Sequence, residues 1–169
     1  MVTQPEAQQE FFDAFLKEDP FRLEASLKAG ANPDLKDTQT GFTYSLIIAI
    51  VHARRDILRL LLKYGANVEV IDETTGDTPL LVAARKGEAD IVEALLDKGA
   101  RMDVIDADNL TPAGIAEQNR NISLQQLFAE AAARREETAL NNEILPLTAG
   151  TSAPLSVHPP LRLKTYPPT

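Results

Sequence analysis

One segment of this chain recurs along the sequence, and that recurrence constrains the fold more than any other feature. The segment starts with Thr78-Pro79-Leu80, and a weaker copy of this start returns at Thr111-Pro112. Its second half ends at Gly99-Ala100, and similar endings occur at Gly65-Ala66 and Gly30-Ala31. The three Gly-Ala pairs are 35 and 34 residues apart. A fixed period of this length means that the chain stacks several copies of one supersecondary unit.

Each copy contains signals for two short helices followed by a loop. Pro at the first helical position, as in Asp19-Pro20 and Thr78-Pro79, starts a helix without losing a hydrogen bond. Gly at the end of the second helix of a copy allows the left-handed conformation that ends a helix. A repeat unit made of two helices and a β-turn has a period of about 33 residues, and the spacings here slightly exceed it. We therefore expect an inserted loop residue, and a second one near the turn at residues 52–54 in the central copy.

The motifs of the third copy resemble the ankyrin-repeat family. The matching residues are Gly76-Asp77-Thr78-Pro79-Leu80, Ala83-Ala84, Gly87, Ile91-Val92, Leu95-Leu96 and Gly99-Ala100. The resemblance implies an all-α solenoid of about four helix-turn-helix units with short β-hairpin loops. We place the units at about residues 10–36, 37–71, 72–105 and 106–140. A polar segment, residues 1–9, precedes them, and a Pro-rich extension, residues 141–169, follows and should not be helical.

Composition limits the classes of partner and site. The formal net charge of -8 argues against nucleic acid and anionic membranes. Cysteine is absent, which excludes disulfides and Cys-ligated zinc, and the two histidines, His52 and His158, have no ligand or catalytic partners at a suitable spacing. We therefore expect no cofactor, no metal and no enzymatic activity. No signal peptide is visible at the N-terminus, which favours a cytoplasmic location.

The resemblance also implies a function, which is to bind another protein through the concave face and the hairpin loops. Projected onto this sequence, the candidate partner-binding residues are Phe42, Val51, His52, Glu73, Asp77, Arg85, Lys86, Asp108, Leu110 and Gln118. Phe42 and Leu110 are either exposed anchors or residues that fold back onto the core.

The acidic loops leave two interpretations open. Glu73, Asp77 and Asp108 could select a basic partner, whereas Asp72 and Asp106, at equivalent places in their copies, are expected to hold turns. The alternative function is a dedicated inhibitor or immunity-type protein that blocks a basic toxin or enzyme. The Pro-rich extension is a ligand for another domain, a linker, or a segment that packs on its own stack or on a neighbouring copy.

Overall fold

A computed structural model describes residues 3–37 and 43–148, which form four successive helix pairs. The elements are α1 (Gln4–Leu16), α2 (Pro20–Lys28), β1 (Lys36–Asp37), β2 (Thr43–Tyr44), α3 (Ser45–Val51), α4 (Arg55–Lys63), α5 (Pro79–Lys86), α6 (Ala89–Asp97), α7 (Pro112–Gln118) and α8 (Ile122–Thr148). The two strands pair antiparallel, with Lys36 opposite Tyr44. The predicted all-α stack of helix pairs is confirmed.

The helices pack in two layers within a compact unit that ends at Ala132. The first helices of successive pairs contact one another, α3 against α5 and α5 against α7. The second helices form the other layer, α2 against α4 and α4 against α6. Between the layers lies a core of leucine, isoleucine, alanine and phenylalanine side chains. This burial supplies the main stabilisation, because helices of seven to nine residues would not persist alone.

The turn between the two helices of a pair has the same backbone in all four units. Its central residue has a positive φ, and the next N–H donates to a carbonyl five residues earlier. The central residues are Glu18, Ala53, Gly87 and Arg120. The acceptors are the fully buried Ala14, Ala49, Ala83 and Ala116. Alanine at this place lets the helices approach closely around the turn.

The extra residues of the longer copies lie in the loops, so the expectation of an insertion at residues 52–54 is wrong. Ala53 follows the N-cap Tyr44 by nine positions, and Gly87 follows the N-cap Thr78 by the same nine. The loops differ instead. Tyr44 comes 14 residues after Gly30, whereas Thr78 comes 13 after Gly65. Surface loops absorb such insertions at low cost, whereas the turn between packed helices cannot.

Both ends of the repeat domain need a corrected boundary. Within the polar segment expected at residues 1–9, residues 4–9 already belong to α1, because Thr3 and Glu6 form a capping box and Ala7 is buried. The non-helical extension was expected from residue 141, but α8 continues to Thr148. Helix propagation adds one hydrogen bond per residue, and the Ala- and Glu-rich run before residue 141 favours it. Residues 149–169 lie outside the described part of the chain.

Candidate functional site

A cleft opens on the layer of first helices, between α1 and α3, with a volume of about 340 Å³. Its walls are largely apolar, with Phe12 and Leu16 from α1 facing Ile48 and Val51 from α3. We call it the α1–α3 cleft. The exposed fraction is 56% for Leu16 and 42% for Val51, so large apolar side chains meet solvent at its mouth. His52, also exposed, follows Val51 at the same end of the cleft.

Arg54, at the start of α4, also lines the cleft. Its guanidinium lies 5.5 Å from the ring centroid of Phe15 and donates a hydrogen bond of 3.3 Å to the Phe15 carbonyl. It also forms an ion pair of 2.8 Å with Glu18. These contacts tie the second unit to the end of α1 and hold Phe15 as the floor of the cleft.

The loop end of the cleft is held by hydrogen bonds within the hairpin loops. Ser45 is the first residue of α3, and its hydroxyl donates a hydrogen bond to the carbonyl of Pro33. Asp72 accepts from the N–H of Thr74 at 2.9 Å and from its hydroxyl at 2.7 Å. Both Ser45 and Asp72 line the cleft, and both are buried with partners. The cleft therefore has polar groups with hydrogen-bond partners at its ends and an apolar middle.

The candidates on the first helices lie along one face of the layer, which we call the first-helix face. Val51 and His52 are brought together at the mouth of the α1–α3 cleft. Lys86 and Gln118 are exposed at the corresponding ends of α5 and α7. These residues lie at the ends of the first helices in the second, third and fourth units. Their role in binding stays a prediction.

The buried side chain of Asp77 corrects the expectation of an exposed carboxylate on the third loop. Asp77 is only 3% exposed, and Arg85 donates to both of its oxygens. Arg85 also donates to Asp106 of the next loop at 3.1 Å. The guanidinium thus joins the third and fourth units. The expectation failed because the sequence separation of Asp77 and Arg85 does not reveal that α5 brings them together.

The same ion pairs affect the titration of this cluster. The hydrogen bond to Asp77 is the main cause that raises the pKa of Arg85, and Asp106 adds to it. The pKa of Asp106 is lowered, mainly by the N–H of Leu110 and further by Arg85 and the N–H of Asp108. The predicted turn role of Asp72 and Asp106 is confirmed, since each accepts from the N–H two residues later.

The remaining loop candidates have different environments. Glu73 is exposed and pairs with Lys36 across adjacent loops. Asp108 is exposed, and its N–H is bonded to Asp106. Leu110 is half-buried and packs against the core, which favours the folded-back alternative over a free anchor. Phe42 lies outside the described residues, so its role stays a prediction.

Sequence reasoning missed two walls of the cleft, Phe12 and Ile48. The available signal was a second i, i+4 stripe on α1: Phe11 and Phe15 share the buried face, and Phe12 and Leu16 share the face beside it. It also missed Phe21, which is 85% exposed at the start of α2 in the layer of second helices. Phe21 therefore lies apart from the first-helix face.

Two further kinds of site find no support in the part of the chain that the structure describes. None of its helices is both long and apolar enough to cross a membrane. Over residues 3–37 and 43–148, no three His, Asp or Glu side chains converge as metal ligands.

Comparisons with known proteins agree with this architecture. A family model described as ankyrin repeats, in three copies, matches residues 12–106. Ankyrin repeat protein nuc-2 of Neurospora crassa is 32% identical over 99 residues, which cover 59% of this chain and 9% of that protein. Glycerophosphocholine phosphodiesterase gde1 of Schizosaccharomyces pombe is 33% identical over 89 residues, covering 53% of this chain and 8% of that protein.

A viral relative covers more of both chains. Putative ankyrin repeat protein FPV014 of Fowlpox virus is 37% identical over 108 residues, 64% of this chain and 24% of its own length. All three relatives are thus much longer than the region they share with this chain. The similarity covers the repeats and leaves the rest of each relative unmatched.

Proposed function

Because this chain belongs to the ankyrin-repeat family, we propose that it is a non-enzymatic module that binds a partner protein through the first-helix face. Ankyrin repeats are generally protein–protein interaction modules. The similarity to gde1 covers only its repeats, so the phosphodiesterase activity in that protein's name does not extend to this chain. A cytoplasmic location stays a prediction from the sequence.

The observation that carries the proposal is the α1–α3 cleft with Leu16 and Val51 at its mouth. Exposed apolar side chains at the edge of a cleft gain about 25 cal/mol for each Å² that a partner removes from water. Interface hot spots sit in such pockets, surrounded by polar residues that exclude water. Further along the chain, Lys86 and Gln118 on the first helices and Glu73 and Asp108 on the loops are polar and exposed.

The inhibitor alternative rests on the acidic loops, and the structure reduces the set of carboxylates that could serve it. Asp77 is buried and Glu73, although exposed, is paired with Lys36, which leaves Asp108 as the one exposed carboxylate of the three expected selectors without an ion pair among the described residues. A blocked basic toxin would need several such charges. We therefore favour a general binding module over an inhibitor of a basic protein.

The test compares two apolar-to-acidic substitutions on opposite layers. The full chain is immobilised and exposed to native lysate beside two variants, Val51→Asp in the cleft and Phe21→Asp in the layer of second helices. Both side chains are exposed, so both variants should fold. A partner retained by the Phe21→Asp variant and lost by the Val51→Asp variant supports the proposal. Loss with the Phe21 variant and retention with the Val51 variant would refute it.

A further inference from the structure

Two lysines and one histidine stand at the same place in the first three units. Lys17, His52 and Lys86 each come directly before the positive-φ residue that turns the chain into the second helix. All three side chains are exposed. We call them the cationic row, after the two lysines. Because the first helices of neighbouring units pack about 8–10 Å apart, the row spans roughly 20 Å, about the length of six extended residues.

Several carboxylates near this face are already paired within the fold. Glu18 pairs with Arg54, Glu73 pairs with Lys36, and Asp77 and Asp106 share Arg85. By contrast, over the described residues Lys17 and Lys86 have no carboxylate within ion-pair distance. The net charge of -8 belongs to the whole chain, and salt screens remote charges beyond about 8 Å. Lys17 and Lys86 are therefore available to carboxylates of a partner.

The row and the α1–α3 cleft adjoin each other. Lys17 follows Leu16 on α1, and His52 itself lines the cleft beside Val51. A ligand that places an apolar side chain in the cleft would run past these cations as it leaves. A cleft of about 340 Å³ lies at the small end of the range for binding pockets, which suits one or two side chains.

We propose that the first-helix face binds an extended acidic segment of a partner protein. One large apolar side chain of that segment fills the α1–α3 cleft. The carboxylates of neighbouring residues in the segment contact Lys17, His52 and Lys86. This inference rests on the proposed function and names the chemistry of the partner. It reverses the expectation from the sequence that acidic loops select a basic partner, because most of those loop carboxylates are paired internally.

The test uses a display library of random 12-residue peptides selected against the immobilised full chain. We expect the enriched peptides to carry Leu, Ile, Phe or Trp within a few residues of at least two Asp or Glu. The strongest peptide is then synthesised with a fluorescent label, and its Kd is measured by fluorescence polarisation. Binding should weaken as NaCl is raised, because the contacts on the row are exposed ion pairs.

Variants of the full chain assign the contacts. We expect the double variant Lys17→Glu, Lys86→Glu to weaken binding at least about tenfold, and Val51→Asp to weaken it by a similar factor. Lys98→Glu is the matched control, since Lys98 is an exposed lysine at the C-cap of α6 in the other layer. Its Kd should stay within about twofold of the parent chain.

Other outcomes overturn the inference in distinguishable ways. The enriched peptides could instead be basic, with binding that is lost when Asp108 or Val51 is substituted. That result would refute the acidic partner and leave the proposed function standing. Peptides insensitive to both Val51→Asp and the double lysine variant would refute both. The selection could also enrich no peptide while Val51→Asp still abolishes capture of a partner from lysate. That combination would refute the inference but not the proposed function.

Two other occupants of the cleft are tested directly. Light scattering on the full chain would reveal a dimer that Val51→Asp makes monomeric, in which case a second copy fills the cleft and the inference fails. The chain's own basic segment is tested with the variant Arg162→Ser, Lys164→Ser. Tighter peptide binding by that variant would mean that this segment competes for the face, which also contradicts the proposal. An unchanged Kd supports it.

Discussion

The ion pair between Asp77 and Arg85 predicts an asymmetry between two alanine variants. Asp77 is buried, whereas the side chain of Arg85 is 48% exposed. Arg85→Ala leaves a buried carboxylate without its cation, which costs about 3 kcal/mol or more. Asp77→Ala leaves a guanidinium that water and Asp106 can still satisfy, so its cost should be about 1–2 kcal/mol. Arg and Ala have similar helix propensities, so α5 itself is little changed.

The assay is urea unfolding of each full-length variant, followed by circular dichroism at pH 7. We expect the Arg85→Ala variant to lose roughly twice as much unfolding free energy as the Asp77→Ala variant. The double variant should lose no more than Arg85→Ala alone, because removing Asp77 relieves the unpaired carboxylate. Glu73→Ala is the control for an exposed pair and should change stability by less than about 0.5 kcal/mol.

Two results would refute this reasoning. Equal losses for the two single variants would mean that Asp77 is as well hydrated as Arg85. Losses that simply add in the double variant would mean that the two side chains do not interact. Either result would mean that the carboxylate of Asp77 is available to bind a partner.

Three other predictions concern the core, a turn and acid stability. Phe11→Ala should cost about 3–5 kcal/mol, because Phe11 is fully buried, whereas Phe21→Ala should cost less than about 0.5 kcal/mol in the same urea titration. Gly87→Ala should destabilise by about 1–2 kcal/mol, since its φ of 78° disfavours any side chain, and this lowers the melting temperature. The pKa of Asp106 is lower folded than unfolded, so this carboxylate stabilises the fold above about pH 4, and that contribution is lost as the pH falls through the folded pKa. Asp106→Asn should therefore reduce the loss of urea stability between pH 5 and pH 2.

The repeat architecture could be predicted from the sequence because each local signal agrees with the fold. Pro79 begins α5, and Gly99 follows the end of α6. Both are local preferences that tertiary packing did not override. The turn residues show the limit. Gly87 suits its turn because glycine adopts positive φ readily, but Ala53 and Arg120 adopt the same left-handed conformation. Their side chains disfavour it, so only packing of the helix pair explains them.

The candidate site could be predicted only in part, because it depends on distances between units. Val51 and His52 follow from their place at the end of a first helix. The cleft beside them depends on the separation of α1 and α3, which no periodicity records. The burial of Asp77 likewise depends on the reach of Arg85 across a loop. Charge patterns in the sequence suggested a basic partner, but they do not reveal that Glu73 and Asp77 are paired within the fold.

Hydrogen–deuterium exchange of the full chain, alone and with its bound peptide or captured partner, tests the central claim most directly. The account predicts slower exchange at the C-terminal ends of α1 and α3, around Leu16 and Val51, where the cleft and the cationic row meet. It predicts no change along α2, α4 and α6. Protection confined to those second helices, with α1 and α3 unchanged, would contradict the claim that the first-helix face is the binding surface.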